Sequence, residues 1–406
     1  MSNSDILDWI KSVSRPGTRW VLKRLSGNDT GRTGSHGAGP YLPKHLLFEL
    51  FPEIADRTVE NPDVYVSAAI DSHAAATREV RVIWYNNAVR GGTRNEARVT
   101  GWGGAASPLL DTENTGALVC IAVQKEGDRR ALRIWVCRNE YEEDRLEDLV
   151  GAIEPSQIVQ FEPQDPESLL DSGKDRPSRR TGTWLAEIPD NWRIEFPRPA
   201  ELSEIAVRLE PGEGLDVDHR LLRRRACEEA IYNEVRDAHL RIALDAAGDD
   251  LAAIRRALMS EAQRSRARSG ISLERHLEVV FREEGLAEHP GFETQAETER
   301  GNLPDFLFPS ASAYRNVDYP SGRLRMLAAK STIKDRWRQV LREADRIWPK
   351  HLMTLQQGVS AQQFAQITDA RVKLVVPAPT HKSYSDDVRE RLLSLSDFVL
   401  ELRDLV

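Results

Sequence analysis

Pro304-Asp305-Phe306-Leu307-Phe308 is the stretch that decides the fold of this chain. A proline and an acid open a short apolar run, the pattern of a buried strand entered from a turn. Further along, LRMLAAK reads as a second strand and ends on Lys330, and KDRWRQVLREAD at 334–345 carries Glu343. An acid at a strand start, a lysine at the next strand end and an acid on the following helix form a group that can hold a divalent metal beside a phosphodiester. Mg²⁺ takes one or two carboxylates together with phosphate and water. Asp305 and Glu343 supply the carboxylates, and Lys330 places a water or balances phosphate charge. Lys334 adds a second cation, and Tyr314 offers a hydroxyl to phosphate. Each residue also has a plainer reading: a turn acid at Asp305, a solvated strand-end lysine at Lys330, and a surface pair of Glu343 with Arg336 or Arg346, worth little. Two residues before Lys330, where such sites ordinarily carry an acid, stands Ala328, so Glu343 has to replace it from the helix.

The flanks give an α-plus-β pattern from residue 183 onward. Residues 219–245 and 250–263 have helical spacing, and Leu273, Leu277, Val280 and Phe281 mark an amphipathic helix over 272–285. FETQAET and PDFLFP read as a hairpin around Arg300-Gly301-Asn302. Trp337, Val340, Leu341, Ala344, Ile347 and Trp348 form one helical stripe, with Thr332 and Asp335 at capping-box spacing before it. VKLVVP at 372–377 is a buried strand, and 385–404 a last helix. The first 160 residues are mostly short strands: TRWVLKRL, DVYVSAAI, REVRVIWY, ALVCIAV and ALRIWVC, with helices at 43–51 and 142–153. Many short strands with Gly/Asn/Asp turns suggest a small barrel or sandwich. Residues 162–182, rich in proline, charge and Ser/Gly, read as a linker. The expected domains are therefore 1–161 and 183–406.

The 406 residues favour two or three domains, and 40% hydrophobic with 30% charged residues describes a globular chain. No run of eighteen apolar residues exists, so no membrane span is expected. The N-terminus carries acids and no apolar core of a secretory signal, and three scattered cysteines suggest a reducing compartment, so a cytoplasmic location is expected. The net charge of −8 argues against a nucleic-acid partner, but arginines cluster at 223–225, 264–270 and 90–98 while acids gather at 140–148. Local potential governs association with DNA more than net charge does.

These residues resemble the EcoRII-type restriction endonucleases, and the likeness runs almost end to end. It is carried by RLSGNDTG, YNNAVRGGTRNEARVTGWGG, DTENTGALV and IWVC in the N-terminal half. In the C-terminal half it is carried by SLERHLE, PDFLFPSASAY, RMLAAKSTIKDRWRQVLREAD, HLMTLQQGVS and VKLVVP. The resemblance implies an N-terminal β pseudobarrel, similar to the DNA-binding domains of plant transcription factors. It also implies a C-terminal restriction-endonuclease-like domain with a mixed sheet flanked by helices. The family's catalytic and metal positions fall on Asp305, Lys330 and Glu343, with Tyr314 and Lys334 as accessory positions and Glu274 or Glu278 as a further acid near the metal. Its second acid has moved to the helix, which accounts for Ala328.

In the family the N-terminal domain is an effector that binds a second copy of the site and restrains the nuclease until occupied. His36 and Tyr41 match one of its DNA-contacting loops, and Arg94, Glu96 and Arg98 the other. Arginine reads guanine with a bidentate fork, and glutamate accepts from the cytosine amine. Gly92 and Ala97 stand where the family's type member has lysines, which lowers phosphate attraction. Arg224 and Arg268 match nuclease-domain positions implicated in DNA contact, and Ile271 stands where the type member has a lysine. The implied protein is a Mg²⁺-dependent type II endonuclease, a homodimer through its C-terminal domain, acting on double-stranded DNA at CCWGG. It needs two copies of the site and has a cytosine methyltransferase as functional partner. The competing readings are a sequence-specific DNA-binding protein that has lost cleavage and a repair nickase.

Overall fold

The computed structural model describes residues 5–34, 39–87, 91–127, 129–165, 168, 179–299, 301–333 and 336–405. The chain is α+β, with a curled N-terminal sheet and a mixed C-terminal sheet flanked by helices. The first sheet holds β1 (Arg19–Arg24), β2 (Asp63–Ile70), β3 (Arg78–Asn86), β4 (Asn95–Thr100), β5 (Leu118–Glu126), β6 (Arg129–Val136) and β7 (Ile158–Phe161). Their order is β4-β3-β2-β6-β5-β1-β7, antiparallel throughout except for the β2–β6 pair. The central strands are apolar at successive positions, so both faces need cover. In β5, Val119, Ile121 and Val123 enter a core shared with Leu46, Leu47 and Leu50, beside or within α2 (Lys44–Leu50). Leu118, Cys120 and Ala122 enter a second core with Ile6, Trp9 and Val13, and with Leu146 of a helix at Glu140–Val150. We call the helix at Ile6–Val13 α1 and the one at Glu140–Val150 α3. The sequence reading anticipated neither α1 nor β4 nor β7.

Over the expected linker, residues 166–167 and 169–178 lie outside the described residues, and from Arg179 the chain is helical. Four helices follow: α4 (Arg179–Ala186), α5 (Pro199–Leu209), α6 (Val217–Ala247) and α7 (Leu251–Glu283). The two helices expected at 250–263 and 272–285 are one, continuous through RSRARSG. Asp250 caps it by accepting from the N–H groups of Ala252 and Ala253 at 2.9 and 3.1 Å. Leu240 and Leu244 of α6 complete the second core of the N-terminal sheet, so the halves share apolar packing.

The second sheet holds β8 (Glu293–Thr294), β9 (Phe306–Phe308), β10 (Arg325–Ala329), β11 (Lys350–Met353) and β12 (Val372–Val375), in the order β12-β11-β10-β9-β8. β10, β11 and β12 run parallel; β9 and β8 add an antiparallel edge, which is the expected hairpin pairing. Alternation sorts the side chains. Leu307, Met326 and Ala328 pack on one face near α8 (Ala311–Arg315), α9 (Trp337–Val340) and α10 (Ala361–Asp369). Phe306, Phe308, Leu327 and Ala329 pack on the other, against Leu273, Leu277, Val280 and Phe281 of α7. The expected last helix is two pieces, α11 (Asp386–Arg389) and α12 (Leu395–Arg403), and Phe398, Val399 and Leu402 of α12 close this core.

The segment after α9 departs most from the sequence reading. A helix was expected to run on to Trp348, but α9 stops at Val340 and Ala344 has a left-handed φ of 50°. The physical reason is competition for backbone groups. Lys350 Nζ donates to the carbonyls of Glu343 and Ala344, the latter at 2.6 Å. The N–H groups of Ala344, Asp345 and Arg346 go to Thr298 Oγ1, Glu299 Oε1 and the Tyr314 hydroxyl, at 3.3, 3.0 and 3.3 Å. Trp337, Val340, Ala344 and Ile347 still face one core, whereas Trp348 is exposed. Asp335 of the expected cap lies outside the described residues. No helix among the described residues is long and apolar enough to cross a membrane.

Candidate active site

Asp305 and Lys330 meet because β9 and β10 are antiparallel neighbours, so the start of one strand lies beside the end of the other. Lys330 Nζ donates to Asp305 Oδ2 at 3.0 Å, and the Ala329 N–H donates to the same oxygen at 2.8 Å. Asp305 is buried, and about a quarter of the Lys330 side chain remains accessible (25%). Asp305 Oδ1 accepts from Gln295 Nε2 at 3.0 Å, and the same nitrogen donates to Glu274 Oε2 at 3.2 Å. Glu274 lies on α7, so three elements converge.

This geometry separates the two acids the resemblance left open. Glu274 joins the cluster, whereas Glu278 is paired with Arg282 one helical turn on. Burial and then the charge of Asp305 push the Glu274 carboxyl up to about 7. Glu343 is affected in the same way: burial and Asp305 push it up to about 7, and Lys330 and Lys350 oppose the shift. Its Oε2 is buried without a hydrogen-bond partner. Arg336 and Arg346 are engaged elsewhere, Arg336 with Glu140 and Arg346 with the carbonyls of Tyr314, Asn316 and Tyr319. Glu343 instead lines a cavity of about 510 Å³ together with Asn302, Arg338 and Arg342.

Buried and half-buried carboxylates, two of them with a pKa raised by burial and by Asp305 and one with an oxygen that accepts no hydrogen bond, offer the oxygen donors that a divalent cation takes. Among the described residues no three His, Cys, Asp or Glu side chains converge closely enough to hold an ion by themselves. That fits a hard cation that takes one or two carboxylates and fills its remaining positions with water and phosphate. Oxygen-only donors fit Mg²⁺ and exclude the thiolate and imidazole sets of structural zinc.

Of the accessory positions, Tyr314 is buried, and its hydroxyl donates to Glu299 rather than facing the cavity. Burial and Glu299 both push its phenol upward. Lys334 lies outside the described residues. Arg224 is fully buried: its guanidinium donates to the Glu210 carbonyl at 2.9 Å, to that of Pro211 at 2.8 Å, and to both oxygens of Glu283 at 2.8 Å. Arg268 is buried as well, donating to Glu228 at 3.1 Å and lying over the Tyr232 ring. In this arrangement both arginines hold helices together and neither faces outward.

In the N-terminal domain, Glu96 and Arg98 alternate with buried Ala97 and Val99 on β4, so they share an outer face. Arg94 and Arg98 donate to the two oxygens of Glu96, at 2.7 and 3.0 Å, and Arg94 lies over the Tyr85 ring. Tyr41 is exposed and lines, with Arg98, Lys23 and Lys44, a cavity of about 1530 Å³ whose opposite wall is Arg225, Glu229 and Asn233 of α6. His36 lies outside the described residues. Sequence reasoning missed Gln295, Glu299 and Lys350: Gln295 and Glu299 act through partners on other elements, and Lys350 acts on main-chain carbonyls of a segment expected to be helical.

A model of the C-terminal domain of EcoRII matches residues 225–399, and one of the N-terminal domain of the restriction endonuclease EcoRII matches residues 14–165. The type II restriction enzyme EcoRII of Escherichia coli is 38% identical over 404 residues, covering 98% of this chain and 97% of that protein. The chain belongs to the EcoRII family of restriction endonucleases. Among solved structures, metal-depleted Ecl18kI in complex with uncleaved DNA is 19% identical, covering 55% of this chain and 84% of that one, with a TM-score of 0.40. Metal-depleted Ecl18kI with uncleaved, modified DNA is 18% identical at the same coverage and TM-score. Within the family's C-terminal domain fall Asp305, Lys330, Glu343 and Glu274; within its N-terminal domain fall Tyr41, Arg94, Glu96 and Arg98.

Proposed function

We propose that this chain is a Mg²⁺-dependent type II site-specific deoxyribonuclease that makes double-strand breaks at CCWGG, before the first cytosine. The convergence of Asp305, Lys330, Glu274 and Glu343 carries the reading. Asp305 with a second carboxylate, Glu343 or Glu274, would hold the ion, which when bound would supply Lewis-acid stabilisation of charge on the phosphate and on the leaving oxygen. Lys330, held by Asp305, presents its ammonium at the accessible edge of the site, where it orients the attacking water and offsets phosphate charge. Arg338 and Arg342 beside Glu343 add positive potential where a DNA backbone would lie.

The N-terminal domain is the effector: it binds a second copy of the site through Tyr41, Arg94, Glu96 and Arg98, and until then restrains the nuclease. The close approach of the two halves supports restraint. Gly27 N–H donates to the Gln357 carbonyl at 2.8 Å, and a Cβ at Gly27 would lie 2.2 Å from the Ser383 oxygen. Glu154, between α3 and β7, reaches buried Arg225 at 3.1 Å. Glu140 of α3 pairs at 3.0 Å with Arg336, which lies between Lys330 and Glu343 in the chain. The enzyme is a homodimer through its C-terminal domain, and a cytosine methyltransferase protects the host's own sites. Incubating a plasmid bearing several CCWGG sites with the protein and Mg²⁺ tests this. Discrete double-strand fragments are expected; binding without cutting, or nicked circles alone, would replace the reading with a DNA-binding protein or a nickase.

A further inference from the structure

We propose that Gln295 is a positioning residue of this site: its side-chain amide fixes Asp305 and Glu274 in the relative orientation a divalent cation needs. The inference rests on the metal-dependent reading above and extends it to a residue that the sequence did not single out.

Thr294 and Phe306 are the last paired residues of the β8–β9 ladder, so Gln295 stands across from Asp305. Its N–H donates to the Asp305 carbonyl at 3.3 Å. At this point the backbone turns into the left-handed region, with φ of 51° at a residue that is not glycine. Non-glycine residues seldom adopt this conformation, and where they do the surroundings enforce it, commonly at functional sites. The turn brings Nε2 to Asp305 Oδ1 at 3.0 Å and to Glu274 Oε2 at 3.2 Å.

The chemistry suits a support and not a competitor. A primary amide has two N–H donors and no charge, so one nitrogen can serve two carboxylates without neutralising either. A lysine there would cancel the charge that attracts the cation, and a glutamate would add repulsion. Each carboxylate oxygen has more than one acceptor direction, so Asp305 Oδ1 and Glu274 Oε2 each keep one free with the amide in place. Asp305 Oδ2 is already fixed by Ala329 and Lys330. Gln295 therefore fixes the other oxygen and joins to it an acid carried by a different element, α7.

Calorimetric titration of the full chain with Mn²⁺ alone, without DNA, tests this for the parent, Gln295→Met, Gln295→Ala and Asp305→Ala. Outer-shell partners of metal ligands typically set affinity by about 10–100-fold. Gln295→Met and Gln295→Ala are expected to weaken Mn²⁺ binding by about that factor while melting at the parent's temperature, since the side chain is exposed. Parent-like affinity in both Gln295 variants, with affinity lost in Asp305→Ala, overturns the role of Gln295 and leaves the metal reading standing. A fall in affinity matched by a fall in melting temperature also overturns it, because it marks a structural role. Parent-like affinity in Asp305→Ala overturns the metal reading and the inference with it.

Discussion

Lys350, buried at the start of β11, donates its ammonium to the main-chain carbonyls of Glu343 and Ala344, two groups that a continuing helix would have used itself. The contact ends α9 early and fixes where the Glu343 side chain leaves the backbone. Burial lowers the pKa of Lys350, and the charges of Asp345, Glu299 and Glu343 oppose the shift. Lys350→Met keeps the stem and takes the donor from the Glu343 carbonyl, while the Ala344 carbonyl keeps the Ile347 N–H at 2.9 Å; the cost is roughly 1–3 kcal/mol in stability. Because misplacement of about 1 Å can cost about 100-fold in rate, cleavage should fall by more than the stability loss explains. Urea unfolding and single-turnover cleavage of the same variant separate the two effects.

A second prediction concerns the ionic cluster that joins α6 to α7. Glu228 is buried, accepting from His276 Nε2 at 2.7 Å and from Arg268 at 3.1 Å. Burial alone would raise its carboxyl, yet the bond from His276 and the charges of Arg225, His276 and Arg268 hold it well below the usual range. Glu228→Ala leaves the buried arginines short of their counter-charge, a change that costs about 3–5 kcal/mol in comparable pairs. The urea midpoint should fall accordingly; a midpoint equal to the parent's would show that Glu228 does not hold the helix pair.

A third prediction separates the two proposed DNA sites. Arg98 stands beside Glu96 on the outer face of β4, far in sequence from the cluster around Asp305. Arg98→Ala should weaken binding of a CCWGG duplex to the effector by about 1–3 kcal/mol, the worth of one bidentate base contact. Addition of a short CCWGG duplex should then no longer stimulate cutting of a single-site plasmid. Undiminished stimulation would move effector binding to another face.

Much of this was legible in the sequence, for reasons that can be named. PDFLF and LRMLAAK read as short buried strands because a continuous apolar run needs no distant partner to be recognised, and the antiparallel pairing of β9 with β10 then brings Asp305 at the start of one to Lys330 at the end of the other. The course of the chain at Glu343 was not legible. The apolar stripe from Trp337 to Ile347 does face one core, but Lys350, Thr298, Glu299 and Tyr314 take the backbone groups that a helix would need. Those partners come from other elements. β4 was lost to its arginines: Ala97 and Val99 do alternate, but Arg94, Glu96 and Arg98 read as a charged loop. The burial of Arg224 and Arg268 was not legible either, because their partners, Glu283 and Glu228, become neighbours only when α6 and α7 pack. Gln295 carries no local signal at all, since its meaning lies in two carboxylates contributed by other elements.

The central claim is that Lys330, held 3.0 Å from Asp305, serves cleavage rather than folding or DNA binding. The most direct measurement is single-turnover cleavage of a two-site plasmid by Lys330→Ala in Mg²⁺, beside its affinity for the same DNA in Ca²⁺. Loss of one preorganised group that stabilises transition-state charge costs about 100–1000-fold in rate. A fall of that size with DNA affinity unchanged is the predicted result; a variant that cuts as fast as the parent would contradict the account.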